Sequence, residues 1–302
     1  MYSVWPSDCP AWAEKSARLA KVCMRTVVLC NFAAMTEAYD VLFFDYEGNR
    51  LAYRKVGHGP AIVIAFHGFG QSSQVFNSVN PIMGHQFTVV AVDLFFHGGS
   101  LYRAGHLLTK TDWQQLIGAF LNAGRINRFS LMGFSLGGRF ALATAEAFAD
   151  RLDGLILIAP DGITHSNWYQ LATATRVGRW LFQYGLRHLS ALNQLGHALV
   201  QLGILNRTAM LFAELSLNTT RQRALVYAVW TQFRLIDPDI EVVATLLNQH
   251  RVRVRFFLGA FDRIIPSASI LPLTNKLQRY ELAVLRTGHN HLIELAAAQL
   301  SE

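Results

Sequence analysis

The amino-acid sequence predicts a doubly wound, mostly parallel α/β sheet with a helical cap inserted after the sixth strand. Three observations carry that expectation. Short runs that are apolar on both faces recur along the chain and end in glycine or polar turns, as buried parallel strands require. Stretches of helical length and periodicity separate them, and strand-helix alternation of this kind builds a sheet covered on both sides. One interval, residues 163–249, contains no convincing strand, so the alternation stops there and later resumes.

Taken in order, residues 41–46 and 50–56 flank Glu47, Gly48 and Asn49 and read as an antiparallel hairpin. Runs at 61–66, 87–92, 129–132, 155–159, 252–258 and 282–285 supply the parallel strands. Residues 112–121, 136–148 and 267–278 read as helices, with Thr111 and Pro266 near two of the starts. Inside the interval, Leu181, Tyr184, Leu189, Leu192, Leu195, Leu199 and Leu202 follow helical spacing. The expected division is a core of residues 35–162 and 250–302, a cap of residues 163–249, and an N-terminal extension of residues 1–34.

Composition excludes several classes. With 52% hydrophobic and 16% charged residues, the 302-residue chain has enough apolar side chains for one large core, which argues against disorder. Cys9, Cys23 and Cys30 are its three cysteines, all in the extension, so no disulfide scaffold is expected. No run reaches the roughly 18 to 20 apolar residues of a membrane span, and membrane contact is not expected. In the extension, Lys15, Arg18, Lys21 and Arg25 precede an apolar run, the order found in a signal peptide. Asn31 interrupts that run, Asp8 and Glu14 lie upstream, and no small-x-small cleavage site follows. The expected location is therefore cytoplasmic, with secretion the lesser alternative. The extension itself reads as a helical leader or as the product of a start upstream of Met35.

The net charge of +7 is unevenly placed. Residues 163–257 hold ten arginines against four acids, whereas residues 35–162 hold nine bases against ten acids. A basic block can signal nucleic acid, but no zinc-finger spacing, ribonucleoprotein motif or glycine-rich phosphate loop accompanies it, so none is expected to bind. No His, Cys or Asp cluster has metal-ligand spacing, and neither metal nor cofactor is expected.

The chemistry concentrates at Gly133-Phe134-Ser135-Leu136-Gly137-Gly138, between an apolar run and a helical stretch. A bare G-x-S-x-G arises by chance in about one chain in ten of this size. Its weight comes from its place, where a tight strand-to-helix turn would lift a strained serine above the sheet and need small neighbours to close.

Followed outward from Ser135, the sequence resembles the α/β-hydrolase family. His67-Gly68-Phe69-Gly70 after the 61–66 run is similar to the family's oxyanion loop. Asp93-Leu94-Phe95-Phe96-His97-Gly98-Gly99-Ser100 is similar to its D-x-x-G-H-G-x-S segment, with Phe96 in place of the usual glycine. Asp262, in Gly259-Ala260-Phe261-Asp262-Arg263, and His289, after Arg286-Thr287-Gly288, stand where the family places its acid and base.

The resemblance implies nucleophilic acyl transfer. Ser135 is the expected nucleophile, His289 its base and Asp262 the carboxylate that orients the imidazole. The backbone N–H groups of Phe69 and Leu136 are the expected oxyanion donors. His291 is the competing base and Asp161 the competing carboxylate. Asp93, His67 and His97 are expected to hold loops in place. Serine at the turn sets the chain apart from the dehalogenase and epoxide-hydrolase branches, which use a carboxylate nucleophile.

The expected activity is cleavage of an ester or thioester of a small, largely hydrophobic substrate. The alternatives are a carbon-carbon bond hydrolase, acyltransferase or lyase on the same triad, an interfacial lipase, or a non-hydrolytic ligand-binding member of the fold. The aromatics Trp168, Tyr169, Trp180, Phe182, Tyr184, Phe212, Tyr227, Trp230 and Phe233 are read mainly as the cap's own core. Among Arg176, Arg179, Arg187, Arg221, Arg223 and Arg234, one or two are expected to face the cleft and admit an anionic acyl substrate. Arg251, Arg253 and Arg255 read as solvated edge residues. The oligomeric state is left open.

Overall fold

A computed structural model of the chain describes residues 39–164, 167–188, 200, 217 and 219–301. The three cysteines, the extension 1–34, Phe212 and the leucines from Leu189 to Leu202 lie outside the described residues, as does the side chain of Trp168. β1 (Leu42–Tyr46) and β2 (Asn49–Val56) form the expected hairpin, closed by Glu47 and Gly48, both at positive φ (49° and 76°), the backbone of a turn that matches strand twist. β3 (Ala61–Phe66), β4 (Phe87–Val92), β5 (Phe129–Phe134), β6 (Leu152–Ile158), β7 (Arg253–Gly259) and β8 (Glu281–Leu285) complete one eight-stranded sheet in the order β1-β2-β4-β3-β5-β6-β7-β8. β1–β2 and β2–β4 pair antiparallel, and every other neighbouring pair is parallel.

Alternate residues of the strands feed two separate cores. Ile64, Phe66, Leu131, Leu157 and Phe256 face the layer of Trp113, Phe140 and Val243. Val63, Ala65, Met132, Ile158 and Phe257 face Phe76, Met83, Leu292 and Ala296. Burial on both faces is why these strands read as continuous apolar runs. Trp113 sits edge-on to Phe66 and Phe140 and donates its indole N–H to Thr144 Oγ1 at 3.0 Å, so its one polar atom is satisfied inside the core.

The described helices of eight or more residues are α1 (Lys110–Ala123), α2 (Leu136–Phe148), α3 (Asn167–Ala174), α4 (Arg176–Arg187), α5 (Thr220–Gln232), α6 (Ile240–Gln249) and α7 (Leu292–Ser301). Four of them, α3 to α6, lie between β6 and β7. α6, placed in the cap by the sequence, packs instead in the sheet's own core through Val243, Ala244 and Leu247, and its N-cap residue Asp239 donates its N–H to Glu146 of α2 at 3.0 Å. The helix expected at 267–278 is a 3₁₀ turn, Ser267–Ile270, followed by a four-residue helix, Leu271–Thr274. Pro272 explains the break, because its ring and missing N–H cannot continue a helix but suit the first turn of a new one. β6 ends one residue earlier than expected, since Ala159 turns to φ 41°. Among the described residues no helix is long and apolar enough to cross a membrane.

Phe96 departs from the family pattern in residue but not in backbone. It adopts φ 68°, the left-handed conformation that glycine takes without cost, and packs its ring on Phe233 and Tyr102 with centroids 5.6 and 6.2 Å away. The strain of about 1 kcal/mol is thus set against aromatic contact with the inserted segment. Phe96→Ala should keep the strain and lose the contact, destabilising the fold by about 2 to 3 kcal/mol. Phe96→Gly should be the more stable of the two by about 1 kcal/mol, an order that urea melts of both variants check directly.

Candidate active site

β3 and β5 are neighbours, yet the chain leaves β3 toward β4 on one side and β5 toward β6 on the other. The loops at their C-terminal ends diverge around a crevice, the place where doubly wound sheets bind ligands. Ser135 caps α2 there with φ 51° and ψ −119°, a strained backbone for a non-glycine residue. Three hydrogen bonds hold it: its N–H donates to Ile158 O at 3.0 Å, and its carbonyl accepts from Gly138 N at 2.8 Å and Asp161 N at 2.9 Å. The turn closes only on glycine. A Cβ on Gly133 would stand 2.7 Å from Gly137 O, and one on Gly137 would stand 2.0 Å from Phe66 O.

Across the sheet, the loops after β7 and β8 are laced by Ala260 N–H to Leu285 O at 2.8 Å and Phe261 N–H to Thr287 O at 3.0 Å. They bring His289 Nδ1 to 2.6 Å from Asp262 Oδ2. The other carboxylate oxygen accepts from Ile264 N at 2.8 Å and Ile265 N at 3.0 Å, and the Asp262 side chain is fully enclosed. Burial opposes its charge. The hydrogen bond and charge of His289, with the two backbone N–H groups, outweigh burial and hold the carboxyl below the usual aspartate value. The His289 ring lies against Phe134, the residue before the serine, with centroids 4.9 Å apart. The structure therefore joins two of the three expected catalytic residues, Asp262 and His289, directly, and sets the imidazole against the residue before the third. No hydrogen bond between Ser135 Oγ and His289 is present among the described residues.

The competing assignments fare differently. His291 is exposed and does not reach Asp262. Asp161 is engaged by Arg139, which donates to it at 2.8 Å. Sequence reasoning missed this arginine, although it stands four residues after Ser135 in the apolar first half of the helix, a signal in itself. Its guanidinium also donates to Tyr169 Oη at 3.0 Å and lies 4.8 Å from that ring's centroid. Tyr169 in turn donates to Trp230 O at 3.1 Å, so α2, α3 and α5 are tied through one buried cation. Burial, and the like charge of Arg179, lower the pKa of Arg234. Arg253 and Arg255, read as solvated edge residues, both pair with Glu281 of β8, at 2.8 and 2.7 Å, and only Arg253 is well exposed.

The expected oxyanion donors follow β3 and β5, Phe69 in the loop after β3 and Leu136 directly after Ser135. Leu136 is the first residue of α2, and its N–H has no acceptor within the helix. Phe69 rides on a loop fixed by two neutral histidines. Leu94 N–H donates to His67 Nε2 at 3.0 Å, leaving His67 Nδ1 to donate to Gly68 O at 2.7 Å. Gly70 N–H donates to His97 Nε2 at 3.0 Å, leaving His97 Nδ1 to donate to Phe95 O at 3.0 Å. Burial, and the neighbouring His97, push His67 down to about 4, and burial lowers His97 as well. Asp93 braces the same loops, accepting from Ser73 N at 2.6 Å and Gly99 N at 2.8 Å. Beside Phe69 a groove of about 660 Å³ runs between Phe96, His97 and the α5 residues Arg221, Leu225 and Ala228. Among the described residues no group of three or more His, Cys, Asp or Glu is placed to hold a metal ion.

A family model described as the alpha/beta hydrolase fold matches residues 61–295. The chain belongs to the α/β-hydrolase fold family. An uncharacterized protein of Mycobacterium tuberculosis is 35% identical to this α/β-hydrolase over 129 residues, 40% of this chain and 35% of that protein. The match thus spans about a third of the relative's length. Haloalkane dehalogenase 2 of the same organism is 28% identical over 39% of this chain and 41% of its own. Two solved structures share the fold: a hydrolase from Pseudomonas aeruginosa PA01, with TM-score 0.60, 20% identity and coverage of 87% of this chain and 96% of that one, and a thermophilic esterase from Thermogutta terrifontis, with TM-score 0.58, 18% identity and coverage of 87% and 95%.

The neutral histidines give this α/β-hydrolase a pH signature. With His67 at about 4 in the fold and an ordinary value of 6.5 once unfolded, the unfolded chain binds more protons between those limits. Stability is full above about pH 6.5 and falls as pH drops toward 4, by an amount on the order of 3 kcal/mol. Denaturant melts at several pH values should show that decline, and His67→Gln should flatten it. A wild-type profile level from pH 7 to 4.5 would speak against a neutral, buried His67.

Proposed function

We propose that the protein is a serine hydrolase that cleaves an ester-type bond, carboxylic ester or thioester, in a small and largely hydrophobic substrate. The observation that carries this reading is His289 paired with an ionised, enclosed Asp262, its ring lying against Phe134, the residue before the strained Ser135. A serine hydroxyl is a weak nucleophile, and a neutral imidazole whose second nitrogen is occupied by a carboxylate is the base it needs.

In this mechanism Ser135 Oγ attacks the substrate carbonyl carbon while its proton passes to His289 Nε2. Asp262 stabilises the imidazolium that forms. Negative charge gathers on the carbonyl oxygen and is met by the N–H groups of Phe69 and Leu136, each worth about 3 kcal/mol of barrier. As the tetrahedral species collapses, the C–O or C–S bond breaks and His289 gives its proton to the leaving alcohol or thiol. Water then repeats the sequence against the Ser135 ester, releasing the acid and returning the proton to Ser135. The groove beside Phe69 is apolar along Phe96, Leu225 and Ala228, which suits an acyl or aryl group, and Arg221 on its wall admits an anionic substrate. The esterase among its structural neighbours supports a chemistry of this class.

A fluorophosphonate probe should label the protein, and Ser135→Ala should abolish labelling while leaving the melting curve in place. Asp262→Asn should lower kcat on nitrophenyl esters by about 10³-fold or more with a modest change in KM, because the imidazole then loses its orientation and its counter-charge. Labelling that persists in Ser135→Ala, or full activity in Asp262→Asn, would overturn the assignment.

A further inference from the structure

Helix α4 is apolar on two opposite sides. Its inner side packs into the cap, with Leu186 buried and Phe182 lying against Leu217, Val226 and Trp230. Its outer side should then be polar, as on an ordinary surface helix. Instead Val177, Trp180, Leu181 and Tyr184, at spacings of three, four and seven residues, form one stripe and are 67, 62, 54 and 52% exposed. Leu171 of α3 is 63% exposed as well. The Trp180 and Tyr184 rings stack with centroids 5.9 Å apart. Of these residues Trp180 and Tyr184 are the two that the sequence reading assigns mainly to the cap's core, and both are exposed.

The charge around the stripe has one sign. Arg176 and Arg187, eleven residues apart, emerge on the same flank, both exposed and without an ion-pair partner among the described residues. Arg179, by contrast, is used internally, donating to the carbonyls of Thr173 and Ala174 at the end of α3. The sequence holds no acidic residue at all between Asp161 and Glu214. A second copy of the chain meeting this face symmetrically would bring the same basic flank and no carboxylate to answer it. A layer of anionic headgroups over acyl chains answers both features. It offers phosphates to the arginines, an apolar depth to Leu181 and Val177, and the boundary position that Trp and Tyr side chains favour.

We infer that the outer face of α4, centred on Trp180 and Leu181 and flanked by Arg176 and Arg187, docks this protein on anionic lipid surfaces. The contact is peripheral: one helix lies in the headgroup plane. It stands apart from the catalytic proposal, because binding needs none of Ser135, Asp262 or His289.

Flotation of the full chain with lipid vesicles tests it. The chain should float with phosphatidylcholine vesicles carrying roughly a third phosphatidylglycerol, at least about tenfold more tightly at low salt than with phosphatidylcholine alone. Trp180→Ser combined with Leu181→Ser should abolish binding to both. Arg176→Gln with Arg187→Gln should erase the preference for anionic vesicles and leave the weak neutral binding. Unchanged thermal melts, and unchanged hydrolysis of a soluble ester where that activity is present, verify that the variants fold. Failure to float with either vesicle overturns the inference, as does flotation indifferent to both pairs of substitutions. A lipid-free dimer that Trp180→Ser with Leu181→Ser dissociates would assign the face to a second copy and overturn it equally.

Discussion

A single close approach sets the geometry of the candidate site. At Gly137 there is no room for even one methyl group between helix α2 and the carbonyl of Phe66, since a Cβ would stand 2.0 Å from that oxygen. The helix that follows the serine is thereby pressed against the end of the neighbouring strand, and the serine at its head has only a left-handed backbone available. The loop carrying Phe69 leaves the same strand end, and the first residue of α2, Leu136, follows the serine directly. The tight packing of backbone on backbone is a constraint no side-chain change elsewhere could supply.

Much of this was legible in the sequence because it is periodic or local. Strands buried on both faces leave continuous apolar runs, and a turn that tolerates only glycine around one serine leaves a signature at fixed offsets. Asp262 and His289 were readable from resemblance, since each follows a strand at a place where the family puts chemistry. What stayed hidden depends on distance through space. Nothing in the residues near Arg139 announces that Asp161, Tyr169 and the carbonyl of Trp230 will gather around it. The tautomers of His67 and His97 follow from backbone groups 27 residues away in the chain.

Periodicity also misled where two opposite faces of one helix are apolar. Spacing alone identifies stripes, not which of them is covered, and α4 buries Leu186 while presenting Trp180 to solvent. The same limit applies to α6, whose apolar positions could have belonged to a cap or to the sheet and pack with the sheet. Phe96 shows the converse. A residue change that reads as a departure in sequence leaves the backbone as it was, because contact with Phe233 offsets the strain of a left-handed phenylalanine.

The chain from Ser135 through Asp161 and Arg139 to Tyr169 bears on how such a protein could change over evolutionary time. The N–H of Asp161 holds the serine's carbonyl, its carboxylate holds Arg139, and Arg139 holds the cap's tyrosine. Trimming away the inserted helices would strip a largely buried guanidinium of one partner and of the ring that covers it, and the resulting imbalance would sit one helical turn from Ser135. The inserted helices are tied to the sheet's own helix through this one side chain, and shortening or replacing them would leave Arg139 without its tyrosine.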